Sequence, residues 1–167
     1  EGGSVTAPGE GIFVYDEGTV VKKASKAEDG HRFVNWTGNV SMVGNVTAIS
    51  TNISMNDSYV ITAIFIAVYG LTISSTTGGN VTNPGEGAFA YDEGTVVDLL
   101  GEADQGYYFV NWNGDANTIG NINAGRTIIT MNDNYSIIAN FAEIQLPECE
   151  LSINSTEGGS VVWPGEG

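Results

Sequence analysis

One stretch recurs, and it constrains everything else about this chain. Residues 2–21, GGSVTAPGEGIFVYDEGTVV, return at 78–97 as GGNVTNPGEGAFAYDEGTVV, and the pattern starts again at 158–167 as GGSVVWPGEG. The first two copies align without a gap: Gly2 with Gly78, Trp36 with Trp112, Met55 with Met131 and Phe65 with Phe141 are each 76 positions apart. The third copy starts 80 residues after the second, and the four extra residues fall between Phe141 and Leu151. A period this long exceeds the roughly 20–50 residues of a solenoid turn and suits a small domain with its own core.

The repeat divides the chain. Repeat one covers 1–66 and lacks the opening strand that LTISS supplies to repeat two at 71–75. Residues 67–70 read as a short linker, 71–142 as the complete repeat two, and 143–150 as a second linker. Residues 151–167 open with LSINS, a second version of LTISS. They are either the start of a third repeat, in a window on a longer array, or a strand donated to a neighbouring unit by strand addition. On either reading the first repeat has an open place in its sheet, and open sheet edges invite pairing.

Strand signals are frequent and no segment carries a convincing helical period. In repeat two they fall near 71–75, 79–83, 88–91, 95–100, 107–113, 126–131 and 135–142, and repeat one is expected to copy them from Gly3 onward. Asn83-Pro84-Gly85-Glu86 has the chemistry of a type II turn, with Gly85 at the position that needs positive φ. Asn132-Asp133-Asn134 reads as a hairpin turn, because Asn and Asp tolerate left-handed backbone. The positions that agree between copies are mostly apolar and form the expected core: Val5/Val81, Phe13/Phe89, Tyr15/Tyr91, Val20/Val96, Ala27/Ala103, Phe33/Phe109, Trp36/Trp112, Ile53/Ile129, Met55/Met131, Ile61/Ile137, Ala63/Ala139 and Phe65/Phe141. Phe109 and Trp112 are three apart and cannot share a face of a regular strand, so a bulge is expected between them.

The net charge of the 167 residues is −15, which disfavours nucleic acid and anionic lipid as partners. No run reaches the roughly 20 apolar residues of a membrane-spanning helix. The order GG-x-V, P-G-x-G, Y-x-x-G-T-x-V, G-x-x-F-V-x-W-x-G and M-x-x-x-Y-x-I-x-A-x-F resembles the divergent internalin-type B-repeat of bacterial and archaeal surface proteins. The resemblance implies an extracellular or cell-surface repeat used as stalk, spacer or adhesin module, with no catalytic residues and no fixed ligand.

The residues themselves offer little chemistry. His31 is the only histidine and its counterpart is Tyr107, so repeat two lacks it. No nucleophile elbow or phosphate loop is present. Calcium is the one cofactor considered, with Asp16, Glu17, Asp92, Glu93 and Asp115 as its candidate ligands, although no loop has the oxygen-dense calcium-hand pattern. Asn-x-Ser/Thr sequons are commoner: with 16 Asn and 27 Ser plus Thr, random placement gives about three, and eight occur. Asn39, Asn45, Asn52, Asn56, Asn80, Asn134 and Asn154 are the candidate acceptors; Asn35, beside Trp36 in an expected strand, is the least suited. The single cysteine, Cys149, lies in the polar 143–150 linker as an inert thiol or an interchain partner.

Four of the five basic residues, Lys22, Lys23, Lys26 and Arg32, cluster in repeat one, where repeat two has Asp98, Leu99, Glu102 and Tyr108. Opposite charge at matching places suggests that the two faces meet, within a chain or between chains, with drift on a solvated hairpin as the plainer alternative. Trp163 replaces Ala7 and Asn83 beside the third PGEG turn and is a further candidate contact.

The expectation is therefore an all-β chain of tandem small β-sandwich or compact β-sheet domains arranged as a rod. Its function would be structural, as a surface stalk or a subunit of a surface filament or sheath whose main partner is itself. The alternatives are an adhesin for carbohydrate or host protein, and a spacer tethered to an enzyme.

Overall fold

The computed structural model describes residues 2–159. Its strands are β1 (Gly3–Ala7), β2 (Val20–Ala27), β3 (His31–Gly38), β4 (Ser50–Ser54), β5 (Ile61–Ser75), β6 (Gly79–Asn83), β7 (Gly87–Asp92), β8 (Val96–Ala103), β9 (Tyr107–Gly114), β10 (Arg126–Thr130) and β11 (Tyr135–Glu143). Among the described residues there is no helix, and so none long and apolar enough to cross a membrane.

The second unit is two layers. One is the three-stranded sheet β10-β8-β6, entirely antiparallel. The other sets β7, the second half of β5, β11 and β9 side by side; β5 pairs antiparallel with β7 and parallel with β11. Alternation along each strand sends one face inward. Val81, Val97, Leu99 and Ile129 from the first layer meet Leu71, Ile73, Trp112, Ile137, Ala139 and Phe141 from the second in one buried cluster.

The aromatic corner of that core depends on an irregularity. Asn111 pairs with Asn140 and Phe109 with Phe141, which leaves Val110 without a partner in the register. This is the bulge the Phe109–Trp112 spacing requires, and it brings the two rings to 5.6 Å between centroids. Phe33 and Trp36 repeat it at 5.4 Å, around the bulge at Val34. The tryptophans are almost fully buried, and each indole Nε1–H donates to a loop carbonyl: Trp36 to Ala48 at 3.0 Å and Trp112 to Ala124 at 2.9 Å. The Gly-Gly pair opening each repeat is also explained. A Cβ on Gly79 would lie 2.6 Å from the Glu102 carbonyl oxygen and from the Phe141 ring, so only glycine lets β6 approach.

Four expectations from the sequence are corrected. Residues 67–70 are not a linker, because β5 runs through them without a break. Val20 and Val96 are 63% and 56% exposed; the neighbouring Val21 and Val97 face the core instead, one step along the strand. Residues 11–16, the counterpart of β7, form no strand among the described residues. Residues 151–155 likewise form no strand, and Leu151 is 77% exposed. In the turn 83–86, Gly85 takes φ +109°, as its position requires, and the peptide bonds Asn83–Pro84 and Ala7–Pro8 are cis.

Candidate functional site: the junction between repeat units

Among the described residues, the feature that sets this molecule apart is how one unit is joined to the next. β5 carries that junction. Its first half pairs with β3 in the first unit, from His31 opposite Ala67 to Gly38 opposite Ile61. Its second half pairs with β7, from Val68 opposite Asp92 to Ile73 opposite Gly87, and with β11, from Tyr135 opposite Leu71 to Ser75 opposite Ala139. The last strand of one repeat is thus the first strand of the next, and backbone pairing leaves no hinge between them.

Side chains reinforce the crossing. Arg32 on β3 reaches Asp92 at the end of β7: its Nε donates to Oδ1 at 2.6 Å and Nη2 to Oδ2, a bidentate pair. The hydrogen bond from Arg32, aided by its charge, holds the Asp92 carboxyl below its usual pKa, and Asp92 raises that of Arg32. At the middle of the crossing the Gly70 N–H donates to Asn134 Oδ1 at 2.7 Å, and the Glu93 N–H donates to the Ala67 carbonyl at 2.9 Å.

The basic cluster of the first unit is therefore only partly what its sequence suggests. Arg32 does meet an acid of the second unit, but that acid is Asp92 and not Asp98 or Glu102, which lie exposed on β8. Lys22 and Lys26 are exposed on β2. Lys23 is a correction: alternation along β2 turns it inward, 2% exposed, with its Nζ 4.4 Å from the centre of the Trp36 ring. It occupies the place of Leu99 and cannot contribute to a contact surface. Burial pushes its ammonium down to about 8, and no hydrogen-bond acceptor reaches the Nζ. Trp163 lies outside the described residues.

The acidic residues offered as calcium ligands are dispersed. Asp92 is held by Arg32, and Asp115 Oδ2 accepts the Ser136 N–H at 2.9 Å. Among the described residues no group of three or more His, Cys, Asp or Glu comes together. All seven candidate sequon asparagines are exposed, as is Cys149. Asn134 is nonetheless a structural residue through Gly70, and Asn45 Oδ1 accepts from both the Thr47 N–H and hydroxyl at 2.9 Å.

Comparing the two units shows what the junction supplies. Ile137, Ala139 and Met131 are fully buried and Tyr135 is 7% exposed, because residues 71–75 lie beside them. Their counterparts Ile61, Ala63, Met55 and Tyr59 are only half-buried, and Phe13 is 44% exposed. A depression of about 250 Å³ opens between Tyr15, Glu17 and residues 55–58. In the second unit the matching place is crossed by Tyr69, opposite Tyr91, and by Gly70 on Asn134. Sequence reasoning missed the fused strand, because it read residues 67–70 as a linker.

The chain finds no match among curated proteins or among solved structures. A family model does match, twice in succession, over residues 1–68 and 69–145. The boundary between the two matches falls inside β5, where the structure passes from one unit to the other. Two consecutive matches, each covering a two-layer all-β unit, place this chain in the divergent InlB B-repeat domain family, a family of surface repeat modules.

Proposed function

We propose that this chain is a non-catalytic, load-bearing repeat of an extracellular surface structure, a stalk or a subunit of a surface filament, that assembles through unit-to-unit β contacts. The observation that carries this reading is β5. A strand shared between neighbouring units transmits tension along backbone hydrogen bonds and packed side chains, without a flexible linker to absorb it. The exposed sequons and the acidic composition suit an extracellular, hydrated surface. Calcium is not part of this reading, because the candidate acids are separated or already engaged.

Immunogold labelling of intact cells with antibody raised against the chain tests the reading. Labelling along surface projections is expected; labelling that requires lysis would contradict it. Specific retention on a glycan array by the monomer would favour an adhesin instead.

A further inference from the structure

We propose that Asn45 is an N-glycan acceptor, presented by the fold in a geometry ready for transfer of an oligosaccharide from a polyprenyl-diphosphate carrier. The inference rests on the extracellular reading above, because sequons are modified on surface loops of exported proteins. It goes further by naming one residue and the chemistry that selects it.

Asn45-Val46-Thr47 lies in the loop between β3 and β4, and Asn45 and Thr47 are both exposed. The buried tryptophan holds this loop from beneath. The Trp36 N–H donates to the Val46 carbonyl at 2.8 Å, and its indole Nε1–H donates to the Ala48 carbonyl at 3.0 Å. The Asn45 N–H donates to Thr51 Oγ1 on β4 at 3.0 Å. Held in this way, Asn45 Oδ1 accepts two hydrogen bonds from its own sequon, from the Thr47 N–H and from the Thr47 hydroxyl, each at 2.9 Å. Among the described residues nothing accepts from its Nδ2.

That arrangement answers the chemical difficulty of the reaction. An amide nitrogen is a poor nucleophile, because its lone pair is delocalised into the carbonyl. As Nδ2 loses a proton, negative charge builds on Oδ1, and two donors already aimed at that oxygen stabilise it. Nδ2 then attacks C1 of the reducing-end sugar. The Nδ2–C1 bond forms, the C1–O bond to the diphosphate breaks with its electron pair, and the Nδ2 proton passes to a base of the transferase.

The other sequons lack this geometry. Asn52 and Asn80 lie on β4 and β6, where residues two apart are about 6.6 Å from each other, too far for the hydroxyl to reach the amide. Asn39 Oδ1 accepts from the Val60 N–H at 3.2 Å, Asn134 Oδ1 from the Gly70 N–H at 2.7 Å, and Asn56 Oδ1 from the Tyr59 hydroxyl; none receives its own sequon hydroxyl. Asn154 uses its Nδ2 as a donor to Ser152 Oγ at 3.5 Å.

The second unit supplies a control. Asn121 is the counterpart of Asn45, and its loop is held alike: the Trp112 N–H donates to the Ile122 carbonyl at 2.7 Å and the Asn121 N–H to Thr127 Oγ1 at 2.9 Å. Asn121 Oδ1 accepts the Asn123 N–H at 3.0 Å. Only the hydroxyl is missing, because Asn123 stands where the first unit has Thr47.

The test presents the full 167-residue chain, folded, to a purified single-subunit oligosaccharyltransferase and a polyprenyl-diphosphate-linked oligosaccharide, with peptide mapping by mass spectrometry over time. Asn45 is expected to be modified about tenfold or more faster than Asn52 or Asn80. Thr47→Ser should retain the modification. Asn123→Thr, at an exposed position, should leave the circular dichroism spectrum unchanged and add a glycan at Asn121 at a rate close to that of Asn45. An unmodified Asn45, equal rates at Asn45, Asn52 and Asn80, or an unmodified Asn121 in Asn123→Thr would each overturn the proposal. Transfer to the purified chain does not depend on where cells place it. Failed transfer with surface labelling therefore removes the acceptor and spares the surface reading, and transfer without surface labelling does the reverse.

Discussion

Arg32 of the first repeat holds Asp92 of the second through two hydrogen bonds, Nε to Oδ1 and Nη2 to Oδ2. The pair spans the junction beside β5, on the side away from β11. Its counterparts in the other copies are Tyr108 and Asp16, so this repeat boundary has a lock that the repeat pattern itself does not encode.

Replacing Arg32 with Ala should loosen this edge without unfolding either unit. Both side chains are substantially exposed, at 49% and 32%, so solvent and salt screen the pair. Amide exchange should quicken at Glu93 and Val68, and the difference from wild type should shrink in molar salt. The pH dependence has a definite sign. Asp92 has a lowered carboxyl pKa in the folded state, so its contribution is present at neutral pH and is lost as pH falls through that lowered value. In Arg32→Ala this acid-side loss should be reduced.

Lys23 makes the opposite kind of prediction. Its folded pKa of about 8 lies below the ordinary lysine value of 10.5, because burial disfavours the charge. Between those values the unfolded chain binds a proton that the folded chain does not, so stability rises with pH across that window. Below pH 8 the full penalty applies, offset in part by the Trp36 ring, whose attraction for a cation is worth about 0.5–2 kcal/mol. Lys23→Leu copies the residue the second unit uses. It should stabilise the chain by about 1–3 kcal/mol at pH 7 and abolish the rise between pH 8 and 9.5. Urea unfolding at several pH values measures both; a destabilised variant that keeps the rise would contradict the assignment.

The two units also serve as a matched pair for substitution. Ile137 is fully buried beside β5, so Ile137→Ala should cost about 2–5 kcal/mol. Ile61 occupies the same place in the first unit and is half-buried, so Ile61→Ala should cost about 1 kcal/mol. Equal costs, read from urea unfolding of the two variants, would contradict this difference in burial.

How much of this was legible in the sequence depends on what each feature answers to. Strand positions in the second repeat were, because turn residues and alternation punctuate them, as at Asp92-Glu93-Gly94 between β7 and β8. The bulge at Val110 was also legible, since two core aromatics three apart demand it. Val96 was misread because two consecutive valines leave the inward face undecided, and the sheet opposite settles it for Val97. Residues 11–16 were misread because their composition favours a strand, while strand formation also needs a partner beside it, as β7 has in β5. The Arg32–Asp92 contact needed the third dimension: the residues are 60 positions apart and meet only because β5 brings β3 and β7 to the same edge.

The fused strand is the feature on which the rest depends, and amide hydrogen exchange on the full chain measures it directly. If β5 is continuous, the amides of Val68 and Gly70, which donate to Gly30 and Asn134, exchange as slowly as those of the flanking strand residues, with no fast segment between the two units. Rapid exchange across residues 66–70, with protection resuming at Leu71, would show two independent domains on a flexible tether and contradict the shared strand.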